Sequence, residues 1–160
     1  MLLWFWGTSF LTVWVVFHDP SIDYRLLLLG SIVPDLVDAP FGGAGVAHSV
    51  TISVAVLVVV MLATVGRRVR RRRWLALPIG MLLHLVFDGV FTDARVFWWP
   101  FSGARPGEQP LPSLDRGLLS LVFELAGLAM LAWGWQRFGL ADSRRRRLLW
   151  RTGHLDPALV

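Results

Sequence analysis

Trp74–Phe91 reads WLALPIGMLLHLVFDGVF, an apolar run broken by two ionisable side chains, His84 and Asp88. Four residues is about one helical turn, so both project from one face of a helix. The run is long enough to cross a bilayer. A charge at that depth costs ~2.5–3.5 kcal/mol on insertion scales, so such groups face a bundle interior and have a use there. A helix carrying His-x3-Asp towards its neighbours is half of a metal site; an interhelical hydrogen bond is the plainer use of the same pair. Gly80, one turn earlier on the same stripe, would let a second helix approach closely.

Composition supports the bilayer. The chain has 160 residues, 55% of them hydrophobic, and a mean hydropathy of +0.57, which suits one small polytopic membrane domain better than a soluble one. It has no cysteine, which excludes disulfides and thiolate ligands. All 16 basic residues are arginine, and two clusters, Arg67–Arg73 (interrupted by Val69) and Arg144–Arg147, supply most of the +5 net charge. Each cluster abuts an apolar span, so topology explains them better than a nucleic-acid surface. Met1–Phe17 lacks a basic leader region and a small-residue cleavage site, and reads as a retained membrane segment.

Long apolar segments lie at about 2–17, 47–66, 74–92 and 117–136, with a shorter one over Arg25–Val37. Pro34 removes a helical donor inside that shorter segment and predicts a broken or partial helix. The expected fold is therefore all-α: a polytopic membrane helix bundle of four to five spans, the second short or broken. Residues 1–138 would form the bundle and 139–160 a basic cytoplasmic tail. Five crossings with an outer N-terminus put 13 arginines on one face, against Arg95, Arg105 and Arg116 on the other. The arginine-rich face is then cytoplasmic. A re-entrant second segment would move the N-terminus inside without changing the later helices.

This arrangement brings Asp35, Asp38, His48, His84, Asp88 and Glu124 to the outer half of the membrane. Asp35 and Asp38, three apart, would repel on one helical face unless a cation or proton lay between them. The glycines of Ala39–Ala47 (APFGGAGVA) can return His48 towards Asp35, and Ser49 is placed to cap the next helix. Glu124 is the only acid in Leu118–Trp135 and is a site candidate on that ground. Each has a structural alternative: a polar helix stop, an interfacial histidine, a protonated glutamate. His18, Asp19 and Asp23 read as a polar connector, and Asp93, Glu108 and Asp115 as solvated loop acids. Carboxylate with imidazole suits zinc, manganese or iron. No glycine-rich phosphate loop, GxSxG elbow or HExxH signature is present.

GSIVPDLVD (Gly30–Asp38), AHS (Ala47–Ser49), GMLLHLVFDG (Gly80–Gly89) and FWWPF (Phe97–Phe101) together resemble the membrane-bound metal-dependent hydrolase family of the YdjM type, also described as LexA-binding inner-membrane hydrolases. The ordered motifs cover residues 1–101. The resemblance implies a multi-pass protein of the bacterial plasma membrane, grouped with zinc-dependent phospholipase C and P1-type nucleases. It further implies a divalent metal ion, with zinc the first candidate, held by Asp35, His48, His84 and Asp88. Asp38 or Glu124 would be the catalytic base. The substrate would be a phosphoester, lipid-like or otherwise amphipathic, taken from among the membrane lipids at the outer face. Two departures stand out. Trp4-Phe5-Trp6-Gly7-Thr8 lacks the histidine found near the N-terminus of many members, and Ser120 stands four before Glu124 where the phospholipase relatives have histidine. A non-catalytic membrane protein with a residual polar or metal-binding cluster is the alternative. An ion pathway is disfavoured because the inner halves of the spans are almost wholly apolar.

Overall fold

The computed structural model describes residues 1–41, 43–103 and 117–159. The loop residues Arg105, Glu108, Asp115 and Arg116 lie outside the described residues. Every regular element among the described residues is helical. α1 spans Leu2–Phe17. The second segment is broken into α2 (Tyr24–Gly30) and α3 (Val33–Asp38), with Pro34 at the start of α3. α4 (Val50–Ala63) follows a 3-10 turn at Val46–His48. α5 (Arg68–Trp74) leads into α6 (Ala76–Asp88), and α7 (Ala94–Phe97) closes that end of the molecule. α8 (Leu118–Arg137) and α9 (Ser143–Thr152) complete the chain.

Glycine decides the two closest crossings. α1 packs on α8 at Gly7 and Gly127, where a Cβ on Gly127 would collide with the Leu3 carbonyl. α2 packs on α6 at Gly30 and Gly80, where a Cβ on Gly80 would collide with the Leu27 carbonyl. Small residues let backbones approach this closely. Phe10, Trp14, Tyr24, Leu27, Phe138 and Leu155 fill the core at the arginine-rich end, while Ala44, Leu85, Val90 and Val96 form a smaller cluster at the other.

The apolar runs overstate the helices inside them. The run 47–66 contains a helix of 14 residues and the run 74–92 one of 13. Gly89, at φ 73, adopts the left-handed conformation that ends α6, and the remaining apolar residues form a 3-10 turn. At 1.5 Å per residue such helices measure about 20 Å, short of a ~30 Å hydrocarbon core. Among the described residues, α8 alone is long and apolar enough to cross a membrane, with mean hydropathy 1.7.

Burial is unevenly distributed. The only buried residue of α4 is Ser53, while Val54, Val58, Val59 and Leu62 are exposed. On α8, Leu118, Leu121, Val122, Leu125 and Leu128 are likewise exposed.

Residues 139–160 begin by turning back onto the bundle. The Tyr24 N–H donates to the Gly153 carbonyl at 2.9 Å and the Leu155 N–H to the Pro20 carbonyl at 2.9 Å. Asp23, read from sequence as a connector residue, is fully buried and central to this region. It caps α2 by accepting from the Arg25 and Leu26 N–H groups, and it pairs with the guanidinium groups of Arg25 and Arg73 at 3.0 Å each. Burial pushes its pKa up. The Arg25 hydrogen bond, the Leu26 N–H and the charges of Arg25 and Arg73 outweigh that and hold the carboxyl below its ordinary 3.8.

Candidate metal centre

Three elements meet at one point. Asp35 comes from α3, His48 from the turn before α4, and His84 from α6. Each offers one ligand atom, and no two of the three atoms are more than 4.8 Å apart. Asp35 Oδ1 lies 3.3 Å from His48 Nε2 and 3.6 Å from His84 Nε2, and the two Nε2 atoms are 3.4 Å apart. Both imidazoles are fully buried, and the Asp35 side chain is 25% exposed, so solvent reaches the trio from the carboxylate side. Asp35 Oδ1 is itself buried and satisfied by no hydrogen bond. These residues are close enough to hold a metal ion.

The other nitrogen of each ring fixes what Nε2 can do. His48 Nδ1 is 2.6 Å from Asp38 Oδ2, and His84 Nδ1 is 2.8 Å from the Ser31 carbonyl oxygen. A carbonyl oxygen only accepts, and an ionised carboxylate only accepts, so both Nδ1 atoms carry hydrogen. In the neutral rings the Nε2 lone pairs then face each other and the Asp35 carboxylate. Three electron-rich atoms at 3.3–3.6 Å repel unless something positive lies among them.

Local sequence explains how each group arrives. The break between α2 and α3 leaves the Ser31 carbonyl to the His84 imidazole, and Ser31 is fully buried. Asp38 ends α3 and is held by three backbone N–H groups of the glycine-rich turn, those of Gly45 (3.0 Å), Ala47 (3.2 Å) and His48 (3.0 Å). Gly45 permits this, because a Cβ there would stand 3.1 Å from Asp38 Oδ1. Ser49 caps α4 by accepting from the Ile52 N–H at 3.2 Å. Phe5 of α1 covers the His84 ring, with ring centroids 4.0 Å apart.

The remaining sequence candidates are placed differently. Asp88 is buried one turn beyond His84, but its oxygens are not among the converging atoms. Asp38, expected as a general base, has four donors on its carboxylate and holds the His48 ring. Glu124, the other expected base, accepts the Leu3 N–H at 2.8 Å and so satisfies an orphan donor in the first turn of α1. The Ser31 carbonyl was missed, and only the Pro34 break hinted that a backbone acceptor would be free there.

No family model, no curated protein and no solved structure matches the chain.

Proposed function

We propose that this chain is a multi-pass membrane protein whose Asp35–His48–His84 centre binds one divalent ion, zinc, and hydrolyses a phosphoester. The observation that carries the metal is the size of the ligand triangle. Ligands about 2.1 Å from a tetrahedral ion stand ~3.4 Å apart, and the three edges here are 3.3, 3.4 and 3.6 Å. Two imidazoles and one carboxylate suit zinc, and three protein ligands leave a fourth position open, as in catalytic rather than structural sites. The one solvent-reached ligand, Asp35 at 25% exposure, offers the approach to that position.

A zinc ion in such a site supplies an acidified water and a Lewis acid for a phosphoryl oxygen. The chain's own residues do the rest. Asp38 and the Ser31 carbonyl hold the two rings with Nε2 forward, the outer-shell arrangement that orients ligating histidines. Phe5 keeps water from the back of His84. The membrane placement rests on α4 and α8, whose apolar side chains face outward while α4 turns a serine inward. That is the reverse of a soluble helix and matches a lipid surround. The motif order in residues 30–101 that resembles the YdjM-type hydrolases supports the same reading.

One observation favours the non-catalytic alternative: the two carboxylates expected as bases, Asp38 and Glu124, are already hydrogen-bonded. Turnover separates the readings. Purified, zinc-loaded protein should release p-nitrophenol from bis(p-nitrophenyl) phosphate or headgroup from a phospholipid panel, and His48→Ala should abolish the release. Stoichiometric zinc with no turnover on either substrate would leave a metal-binding membrane protein.

A further inference from the structure

The arginine-rich end is organised around a selective neutralisation. Asp19 pairs with Arg72, and Asp23 with Arg25 and Arg73. Arg25 Nη1 also donates to the Trp150 carbonyl at 2.7 Å, so Asp23 joins α5 and α9 at one point. Asp156, beyond the end of α9, takes Arg145 at 3.2 Å, and Arg146 of α9 donates to the Leu140 and Ala141 carbonyls. Asp142 caps α9 through the Arg144 N–H. The acids on this end therefore hold Arg25, Arg72, Arg73 and Arg145, of which Arg72 and Arg73 are themselves exposed. Arg67, Arg68 and Arg70 on one side, and Arg144, Arg147 and Arg151 on the other, are exposed and have no ion-pair partner among the described residues.

Two further features accompany these charges. An open concavity of about 620 Å³ lies on α9, lined by Arg144, Arg145, Arg147, Leu148, Arg151, Thr152 and Asp156, whose carboxylate is taken up by Arg145. Beside it, Trp150 is 72% exposed, and Val69 and Trp135 are also exposed. Unpaired arginine next to outward tryptophan is the chemistry of a surface that meets phosphate and hydrocarbon together. A nucleic acid would use the arginines but leave Val69 and the outward apolar rows of α4 and α8 without a partner.

We propose that α9 and α5 together form a binding surface for anionic phospholipid headgroups, with the headgroup phosphate in the α9 concavity and Trp150 at the lipid interface. The surface is built: α9 is fixed in place by the Gly153, Leu155 and Trp150 backbone contacts, so its arginines are presented without further folding.

The test is a lipid titration of the full chain in mild detergent, read by native mass spectrometry, with phosphatidylglycerol against phosphatidylcholine. Wild type should bind phosphatidylglycerol at least about tenfold more tightly, since each arginine at an anionic surface contributes about fivefold and at least two act together. The triple variant Arg144→Gln, Arg147→Gln, Arg151→Gln should lose the preference, while Arg95→Gln at the opposite end should keep it. Equal affinity of wild type for the two lipids would overturn the proposal, and that arm needs no variant to fold. Displacement of phosphatidylglycerol by millimolar inorganic phosphate would instead assign a free-anion site, and displacement by a short RNA a nucleic-acid surface. Either would overturn it. No arm reads the metal centre, so failure there leaves this result intact.

Discussion

Asp38 has a carboxylate with four donors aimed at it, and its work is to keep hydrogen on Nδ1 of His48. Asp38→Asn offers one acceptor oxygen and turns an N–H2 group towards donors, so the ring loses its fixed tautomer. Metal affinity should fall about 10–100-fold, the usual cost of a lost outer-shell partner; isothermal titration in detergent reads it, and unchanged affinity would contradict the assignment. Asp23 makes a separate residue-scale prediction. Asp23→Ala removes a helix cap and two pairs with partly exposed arginines, and should cost about 2 kcal/mol after allowing for screening. Its pKa is depressed on folding, so its contribution is complete above the ordinary 3.8 and is lost as the pH falls through the lowered folded value. Unfolding followed from pH 6 down to pH 2 should show acid destabilisation in wild type that is smaller in Asp23→Ala.

Helices in this chain are positioned by glycine and ended by it. Gly80→Ala would drive a Cβ into the Leu27 carbonyl, a backbone atom that cannot step aside. It should destabilise by about 3 kcal/mol, the upper range for overpacking, and separate α2 from α6. Since α2 ends at the Ser31 carbonyl and α6 carries His84, metal affinity should fall with it; wild-type stability in thermal unfolding would refute the crossing. The sequence made Asp35, His48 and His84 legible because rare polar residues in apolar runs have few uses. It also made the Pro34 break, the Ser49 cap and the Gly80 approach legible, since each follows from local stereochemistry. Helix length was not legible: apolar composition is the same in a helix, its caps and a following 3-10 turn, so 74–92 shrank to Ala76–Asp88. Nor was the place of Asp88 outside the converging trio. Its i+4 spacing shares a face with His84, but the Ser31 carbonyl turns the imidazole so that Nε2 points to His48.

At the scale of the whole molecule, the arginines of α5 and α9 gather with Asp19 and Asp23 at one end, and Arg95 on α7 lies with Trp98 and Phe101 towards the other. Membrane insertion with this polarity predicts that single cysteines at Arg68 and Arg147 react with an impermeant thiol reagent only in inverted vesicles, and one at Phe101 only in intact cells. Labelling of all three from the same side would contradict the multi-pass arrangement proposed above. The central claim is the metal centre that the fold assembles from α3, the turn before α4, and α6. Metal content of the purified chain, measured by mass spectrometry after zinc loading and desalting, tests it most directly. The account predicts about one ion per chain in wild type, and loss of that ion in Asp35→Ala, His48→Ala and His84→Ala. Equal, substoichiometric metal in wild type and all three variants would contradict it.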